Sequence, residues 1–221
     1  MKDNIRYGIV GIGGMGANHA NLFLHNKIKN GSLEAICDTN DEFAKNFPNI
    51  SFYKEVDNFF DKKLIDVAII ATPHRSHIDL GKQALKRNIN VIIEKPLAVT
   101  SMQCREFIEF SKKYDANFGI MLNQRTNPAF IKLKKMITNG ELGKIHRYQW
   151  TITDWFRTNY YYNISDWRAT WKGEGGGVLM NQSIHQLELC RWVFGMPNSV
   201  ITDMQLGRFH NIEVEDAVTS I

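Results

Sequence analysis

Three glycines near the N-terminus have the spacing of a turn that holds a phosphate group. Gly11, Gly13 and Gly16 form the pattern G-x-G-x-x-G between a short apolar segment and a helical pattern. In such a strand-to-helix turn the first glycine permits the tight turn, the second lets the backbone approach a pyrophosphate, and the third lets the helix pack against the strand. Asp38 ends the next apolar segment, 22 residues after Gly16, where a carboxylate can accept hydrogen bonds from an adenosine ribose. The combination favours a dinucleotide site over a purely structural turn.

A lysine follows another apolar segment of the chain. Glu94-Lys95-Pro96 comes directly after Asn90-Val91-Ile92-Ile93, which has the composition of a buried strand. A lysine amine in this position can donate a hydrogen bond to a substrate hydroxyl, stabilise a developing alkoxide and help tune the pKa of a nearby base. A solvated lysine in a loop is an equally weighted alternative on this tripeptide alone.

Asn181 and His185 lie four residues apart in a helical pattern that begins after Gly175-Gly176-Gly177 and extends to about Phe194. This spacing predicts that both side chains lie on one face of a single helix. Imidazole titrates near neutral pH, so His185 is a candidate general base, although a lone helical histidine is more often a packed or surface residue. His185 and Glu188 could be two metal ligands, but no third ligand is apparent and we predict no metal site. The three glycines permit close approach of a ligand to the backbone, or they form a flexible loop that ends where the helix packs tightly.

The segment 159–170 is rich in aromatic and polar residues and has the pattern of a loop. Trp167, Arg168 and Trp171, together with Tyr160–Tyr162, could line a sugar pocket by stacking and hydrogen bonding. They could equally be aromatic residues of the core, and the sequence does not separate these alternatives.

Residues 5–123 alternate short apolar segments with helical patterns. Continuous apolar strands separated by helices predict a doubly wound parallel sheet, an α/β fold in which both sheet faces are covered. In such a sheet ligands bind beyond the carboxyl ends of the strands. The polar clusters at these ends are Gly11–Gly16, Asp38, Thr72–His77, Glu94–Pro96 and Asn123–Arg125. Because all these clusters lie at strand ends, they indicate one site. His19 and His77 could approach this site, or they could be surface histidines whose hydrogen bonds are made elsewhere.

The pattern changes near residue 125, where we place the boundary between two domains, 1–125 and 126–221. The elements predicted in the second domain are an amphipathic helix at Pro128–Thr138, the helix that ends near Phe194, and strands at Gly143–Thr153, Val200–Gly207 and Glu213–Ile221. The second domain is therefore predicted to be an α+β domain, with an open, mostly antiparallel sheet and a helix packed on it.

The composition limits the classes of partner. The chain has 221 residues, a net charge of +4 and interspersed charges, so neither a nucleic-acid partner nor a membrane surface is predicted. The three cysteines, Cys37, Cys104 and Cys190, are scattered, which argues against disulfides and indicates a reducing compartment. The longest apolar run, Val67–Ala71, is too short to span a bilayer, and we expect a cytoplasmic protein.

In this order and spacing, the motifs resemble those of the Gfo/Idh/MocA oxidoreductases, named for glucose–fructose oxidoreductase and inositol dehydrogenase. The segments that carry the resemblance are Gly11–Gly16, Cys37-Asp38, Ala71–His77, Glu94–Pro96, Asn123–Pro128, Gly140–Ile145 and Gly175–His185. The resemblance implies an N-terminal Rossmann domain, a C-terminal α/β domain with an open sheet, and NAD(P)-linked oxidation or reduction of a sugar, cyclitol or nucleotide-sugar carbinol. It also implies catalytic roles for Lys95 and His185, and a homo-oligomer for a full-length chain.

The residues and the resemblance together predict the members of the site. The predicted catalytic residues are Lys95, His185 and Asn181. The predicted cofactor contacts are Gly11, Ile12, Gly13, Gly14, Met15, Gly16, Asp38, Ala71, Thr72, Pro73, His77, Glu94, Lys95 and Asn123. The predicted substrate contacts are Lys95, Arg125, Trp167, Arg168, Asn181 and His185. Asp38 favours NAD over NADP because its carboxylate would repel a 2′-phosphate, and the following Thr39-Asn40 offers no arginine to reverse that preference.

Two features depart from the pattern of the family. Many members have an aspartate four residues before the histidine, where this chain has Asn181, whose amide can orient an imidazole or bind substrate but cannot take a proton. Members also continue well beyond the length of this chain, so we expect a C-terminally truncated chain with an unpaired sheet edge. The alternatives to a dehydrogenase are an NAD-dependent glycoside hydrolase on the same fold and a nucleotide-binding fragment without catalysis.

Overall fold

The computed structural model of the chain describes residues 4–153 and 156–221. The chain divides into two compact units, Met1–Met121 and Leu122–Ile221. No helix within the described residues has both the length and the apolar composition needed to cross a membrane.

The N-terminal unit contains a six-stranded parallel sheet. Its strands are β1 (Ile5–Val10), β2 (Gly31–Cys37), β3 (Ser51–Tyr53), β4 (Val67–Ile70), β5 (Asn90–Ile93) and β6 (Phe118–Ile120). Their spatial order is β3-β2-β1-β4-β5-β6, and every neighbouring pair is parallel. The order changes direction between β1 and β4, which is where an open α/β sheet forms its ligand crevice. The predicted doubly wound parallel sheet is confirmed.

Helices cover the sheet on both faces. They are α1 (Gly14–Leu24), α2 (Val56–Asp61), α3 (His77–Lys86) and α4 (Ser101–Ser111), with short 3-10 helices at Asp41–Asn46 and His74–Ser76. Consecutive residues of a strand point to opposite faces, so Ile69 belongs to one buried cluster and Ile70 to the other. Because both faces of the central strands β4 and β5 are covered, these strands are mainly apolar, and polar side chains concentrate at the strand ends.

The C-terminal unit combines helices with a small antiparallel sheet. Its helices are α5 (Pro128–Thr138), α6 (Asn159–Asn163), α7 (Val178–Asn181) and α8 (Ile184–Phe194), after a 3-10 helix at Asn123–Thr126. Strands β7 (Thr202–Leu206) and β8 (Glu215–Ser220) pair antiparallel. The antiparallel pairing that was predicted for the end of the chain is confirmed.

The strand predicted at Gly143–Thr153 is wrong, because the described residues 143–153 contain no strand. Their aromatic side chains pack on helices instead. Tyr148 stacks on Phe194 with ring centroids 4.1 Å apart, and Trp150 packs against Phe130 at 5.7 Å. The apolar residues of this segment are otherwise largely exposed, so their partial alternation does not mark a buried sheet face.

The single helix predicted from the glycine run to Phe194 is also wrong. The chain forms two helices, α7 and α8, and the backbone N–H of Ser183 between them donates to the carbonyl of Val178 at 2.7 Å. This bond reaches five residues back, so the turn is wider than an α-helical turn and the helical progression is broken. Asn181 is the last residue of α7 and His185 the second of α8, so the argument from a shared helix face fails. The predicted end at Phe194 is confirmed, with Gly195 at φ 95°.

Candidate active site

The glycine turn between β1 and α1 has the geometry that close approach of a phosphate needs. Gly11 has φ +88°, a conformation that side chains rarely adopt. A Cβ at Gly16 would lie 1.8 Å from the carbonyl oxygen of Gly11, so only glycine lets α1 pack this closely on the turn. At Gly13, by contrast, no atom of the described residues beyond Gly13 and its two chain neighbours lies within 4 Å of a Cβ position. The space in front of Gly13 is therefore open to a ligand.

The first turn of α1 is suited to an anion. Gly13 occupies the N-cap, and among the described residues no side chain caps this helix end. The first turn contains no acidic residue, so the free N–H groups and the positive end of the helix dipole remain for a negatively charged group. The turn fits the pyrophosphate of a dinucleotide.

Asp38 is tied to the glycine turn by its own carboxylate. It follows β2, and its Oδ2 accepts a hydrogen bond from the backbone N–H of Ile12 at 2.6 Å while Oδ1 accepts one from Asn40 N–H at 2.9 Å. A carboxylate has about four acceptor positions, so positions remain for the two hydroxyls of a ribose. Asp38 thus fixes the turn and can still bind the ligand.

Glu94 connects the segment that contains Lys95 to α1. This carboxylate is buried and accepts hydrogen bonds from Nε2 of His19 at 2.7 Å and from the backbone N–H of Lys95 at 3.2 Å. Burial alone would raise the pKa of Glu94, but the hydrogen bond and positive charge of His19 hold that pKa below its ordinary value. Glu94 therefore stays ionised. The sequence does not predict that His19 hydrogen-bonds to Glu94.

His77 joins the segments that follow β4 and β5. Its side chain is fully buried, with Nδ1 2.8 Å from the carbonyl oxygen of Pro96 and Nε2 2.8 Å from that of Thr72. Burial lowers the pKa of His77. The structure thus places His77 between these segments and not at their surface. Three further residues that were predicted to contact the cofactor, Ala71, Thr72 and Pro73, directly follow the carboxyl end of β4.

Asn181 lies in a hydrogen-bonded cluster in the C-terminal unit. Its Nδ2 donates to the carboxylate of Glu174 and to the hydroxyl of Tyr161, the second contact measuring 3.2 Å. Glu174 is 2% exposed and also accepts from the backbone N–H of Ala169 at 2.7 Å. Glu174 was not among the predicted site residues. Its signal in the sequence is a lone acidic residue directly before three glycines, and this signal is missed when the glycines are considered only as a place where a ligand approaches the backbone.

The glycine run packs against a strand. Glu215 on β8 is buried and accepts hydrogen bonds from the backbone N–H groups of Gly177 at 3.0 Å and Leu179 at 3.1 Å. A Cβ at Gly177 would lie 2.0 Å from the carbonyl oxygen of Glu215. Of the two interpretations of these glycines, tight packing therefore holds for Gly177.

Arg125 and Arg168, two predicted substrate contacts, have different surroundings. Nε of Arg125 lies 2.9 Å from both carboxylate oxygens of Glu188, which also accepts from Arg191 at 3.1 Å. The hydrogen bonds from Arg125 and Arg191 lower the pKa of Glu188, and a carboxylate shared by two guanidinium groups is poorly suited to bind a metal. Arg168 instead donates to the hydroxyl of Tyr161.

The C-terminal unit brings some predicted residues together and leaves others apart. The guanidinium of Arg168 lies 4.7 Å from the ring of Trp167 and contacts Tyr161, which Asn181 also contacts. A surface groove in the same unit includes none of the predicted site residues, although it contains Gln186, the neighbour of His185. Its lining residues are Gln124, Phe130, Trp150, Thr151, Ile152, Thr153, Gln186 and Leu189.

Comparison with known families identifies both units. Residues 5–121 match the family model described as an oxidoreductase family with an NAD-binding Rossmann fold, and residues 130–221 match the GFO/IDH/MocA C-terminal domain. The chain belongs to the GFO/IDH/MocA oxidoreductase family. The glycine turn, the uncapped α1 and Asp38 described above fit the NAD that this family binds.

Three GFO/IDH/MocA proteins illustrate the relationship. The uncharacterised oxidoreductase YdgJ of Escherichia coli is 29% identical over 210 residues, which cover 92% of this chain and 58% of YdgJ. Myo-inositol 2-dehydrogenase of Thermotoga maritima is 25% identical over 222 residues, covering 95% of this chain and 63% of the enzyme. The WlbA dehydrogenase of Chromobacterium violaceum, solved with NADH and UDP-GlcNAcA, matches with a TM-score of 0.87 and 25% identity, covering 100% of this chain and 64% of that one. This chain therefore spans less than two thirds of each relative.

Gly13→Ala is expected to weaken NADH binding by about ten- to hundredfold without lowering the thermal unfolding midpoint. Apart from its chain neighbours, the new methyl group meets no atom of the described residues within 4 Å, but it would occupy the space in which we place the pyrophosphate. Overpacking of this kind costs about 1–3 kcal/mol, which corresponds to that loss of affinity. Fluorescence titration with NADH and differential scanning calorimetry measure the two quantities.

Gly119→Ala is the matched control, because a Cβ at Gly119 on β6 also has no atom of the described residues within 4 Å. It should change neither NADH affinity nor the unfolding midpoint. Wild-type NADH affinity in Gly13→Ala would contradict the placement of the pyrophosphate at this turn.

Proposed function

We propose that this protein is an NAD-dependent dehydrogenase that transfers a hydride between nicotinamide and the carbinol carbon of a sugar, cyclitol or nucleotide sugar. The observation that carries the proposal is the connection between the NAD-binding turn and the lysine after β5. His19 on α1 holds the buried carboxylate of Glu94, and Glu94 in turn holds the backbone of Lys95. The segment that carries the Lys95 amine is thus hydrogen-bonded, through Glu94 and His19, to the helix that follows the cofactor turn.

The chain's own residues supply the proton chemistry in this proposal. When bound, NAD provides the hydride acceptor. Lys95 donates a hydrogen bond to the substrate oxygen and stabilises the alkoxide that develops there. His185 removes the hydroxyl proton as general base, since the amide of Asn181 cannot accept one. Asn181 instead binds substrate through its amide.

The choice of substrate class rests on chemistry that the relatives share. Myo-inositol 2-dehydrogenase acts on a cyclitol, and the WlbA structure contains a nucleotide sugar. The common reacting group is a secondary alcohol on a polyhydroxylated ring. NAD is preferred over NADP because Asp38 places a carboxylate where the 2′-phosphate would lie.

The proposal is tested by incubating the purified chain with NAD⁺ and a panel of myo-inositol, glucose, UDP-N-acetylglucosamine and its uronic acid. Substrate-dependent formation of NADH is the expected result, with slower turnover when NADP⁺ replaces NAD⁺. NADH binding without turnover of any panel member would contradict a dehydrogenase and leave a nucleotide-binding protein. Sugar release from glycosides without accumulation of NADH would indicate the glycoside hydrolase alternative.

A further inference from the structure

Tyr161 on α6 is surrounded by hydrogen-bond donors. Its hydroxyl oxygen accepts from Nη1 of Arg168 and, at 3.2 Å, from Nδ2 of Asn181. A phenolic hydroxyl can accept and can also donate one hydrogen. Because both neighbours act as donors, the oxygen is used as an acceptor and the hydrogen of Tyr161 remains to be donated to a further group.

The orientation of the Asn181 amide is set by Glu174. A carboxylate can only accept hydrogen bonds, so the amide nitrogen, and not the amide oxygen, must face Glu174. The same nitrogen therefore faces Tyr161. The buried Glu174 thus determines indirectly that Tyr161 receives a hydrogen bond and keeps its own hydrogen for another acceptor.

The neighbouring tyrosines differ from Tyr161. Tyr160 is 76% exposed. Tyr162 packs edge-on against His210 with centroids 4.9 Å apart, and burial raises the pKa of Tyr162 to about 12. The ring of Tyr161 contacts two guanidinium groups, those of Arg157 at 4.2 Å and Arg168 at 4.3 Å from its centroid. These cation–π contacts hold the ring in place.

We propose that Tyr161 is a substrate-binding residue whose hydroxyl donates a hydrogen bond to an oxygen atom of the sugar or cyclitol. Glu174 is its positioning residue, acting through Asn181. This inference rests on the proposed function, because it assigns Tyr161 to the same proposed substrate site as Arg168 and Asn181. Donation from two neighbours polarises the hydroxyl and makes it a better donor, and the ring oxygens and hydroxyls of a sugar are suitable acceptors.

Tyr161→Phe tests the contact, with Tyr148→Phe, at an exposed tyrosine of the same unit, as the matched control. Calorimetric titrations are made in saturating NADH with myo-inositol and UDP-N-acetylglucosamine as probes. The probe that binds wild type is expected to bind Tyr161→Phe about tenfold more weakly, with NADH affinity and unfolding midpoint unchanged. Tyr148→Phe should bind it as wild type does. Wild-type probe affinity in Tyr161→Phe would overturn the proposal.

Glu174→Gln tests the positioning role. A glutamine can donate to the Asn181 oxygen, which allows the amide to turn over and withdraw its hydrogen bond from Tyr161. Probe binding should weaken, and Tyr161→Phe combined with Glu174→Gln should be no weaker than Tyr161→Phe alone, because both changes remove one interaction. Independent losses that multiply would overturn this role of Glu174.

The titrations separate this inference from the proposed function. NADH binding without binding of either probe to wild type would overturn the substrate contact and leave the cofactor site standing. Failure to bind NADH would contradict the proposed function, and titration of the probes without cofactor would then decide the role of Tyr161 separately.

Discussion

His185→Ala is expected to lower kcat/KM by about 10²–10⁴-fold, the contribution that a positioned general base makes, and to leave NADH affinity unchanged. In the proposed reaction His185 takes the proton from the substrate hydroxyl. The amide of Asn181, four residues earlier in the chain, cannot replace it, because an amide has no basic site that titrates near neutral pH. Steady-state kinetics with the best substrate of the panel, measured across pH, provide the test.

The pH profile distinguishes a base from a packing residue. Loss of a general base removes the acidic limb of the kcat/KM profile, whereas loss of packing lowers the rate at every pH. His146→Ala is the control, since His146 is an exposed histidine of the same unit. A His185→Ala profile that keeps the wild-type shape would show that another group takes the proton.

The N-terminal unit could be predicted from the sequence in most of its detail. Its central strands β4 and β5 are covered on both faces, so each is a nearly continuous apolar segment that is followed by polar residues. The glycine turn adds a local rule: Gly16 is required because a side chain there would meet the carbonyl of Gly11. Such constraints act over a few residues, and a single sequence shows them.

The contacts that support the site could not be predicted in the same way. His19 and Glu94 are 75 residues apart in the chain, and their hydrogen bond depends on how α1 packs beside the end of β5. His77 lies at a helix start, where a surface histidine is an equally good interpretation until Thr72 and Pro96 are seen on either side of it. Contacts between side chains that lie far apart in the sequence leave no periodic pattern, so the sequence alone does not show them.

The C-terminal unit shows where periodicity misleads. The spacing of Asn181 and His185 matches one helix face, but the bond from Ser183 to Val178 widens the turn between them. The alternation at 143–153 matches a strand, but Tyr148 packs on α8. A hydrophobic pattern alone does not show whether a segment forms a helix, a strand or an irregular segment that packs on a helix.

Lys95→Met is expected to reduce kcat by about 10²–10³-fold, the cost of removing one donor from a developing oxyanion. Methionine keeps the length and the apolar stem of lysine and removes the charge. The backbone N–H of residue 95 still donates to Glu94, so the segment after β5 should keep its conformation. Single-turnover kinetics with bound NAD⁺ report the chemical step separately from binding.

Two comparisons make this result specific to the position of Lys95. Lys112→Met removes an exposed lysine that pairs with Glu109 on α4 and should leave kcat unchanged. In the proposed reaction Lys95 and His185 act on one hydroxyl, and proton removal is of little use without stabilisation of the alkoxide. Lys95→Met combined with His185→Ala should therefore lose less than the product of the two single losses. Fully multiplicative losses would mean that the two residues act at separate steps, and wild-type kcat in Lys95→Met would remove Lys95 from the mechanism.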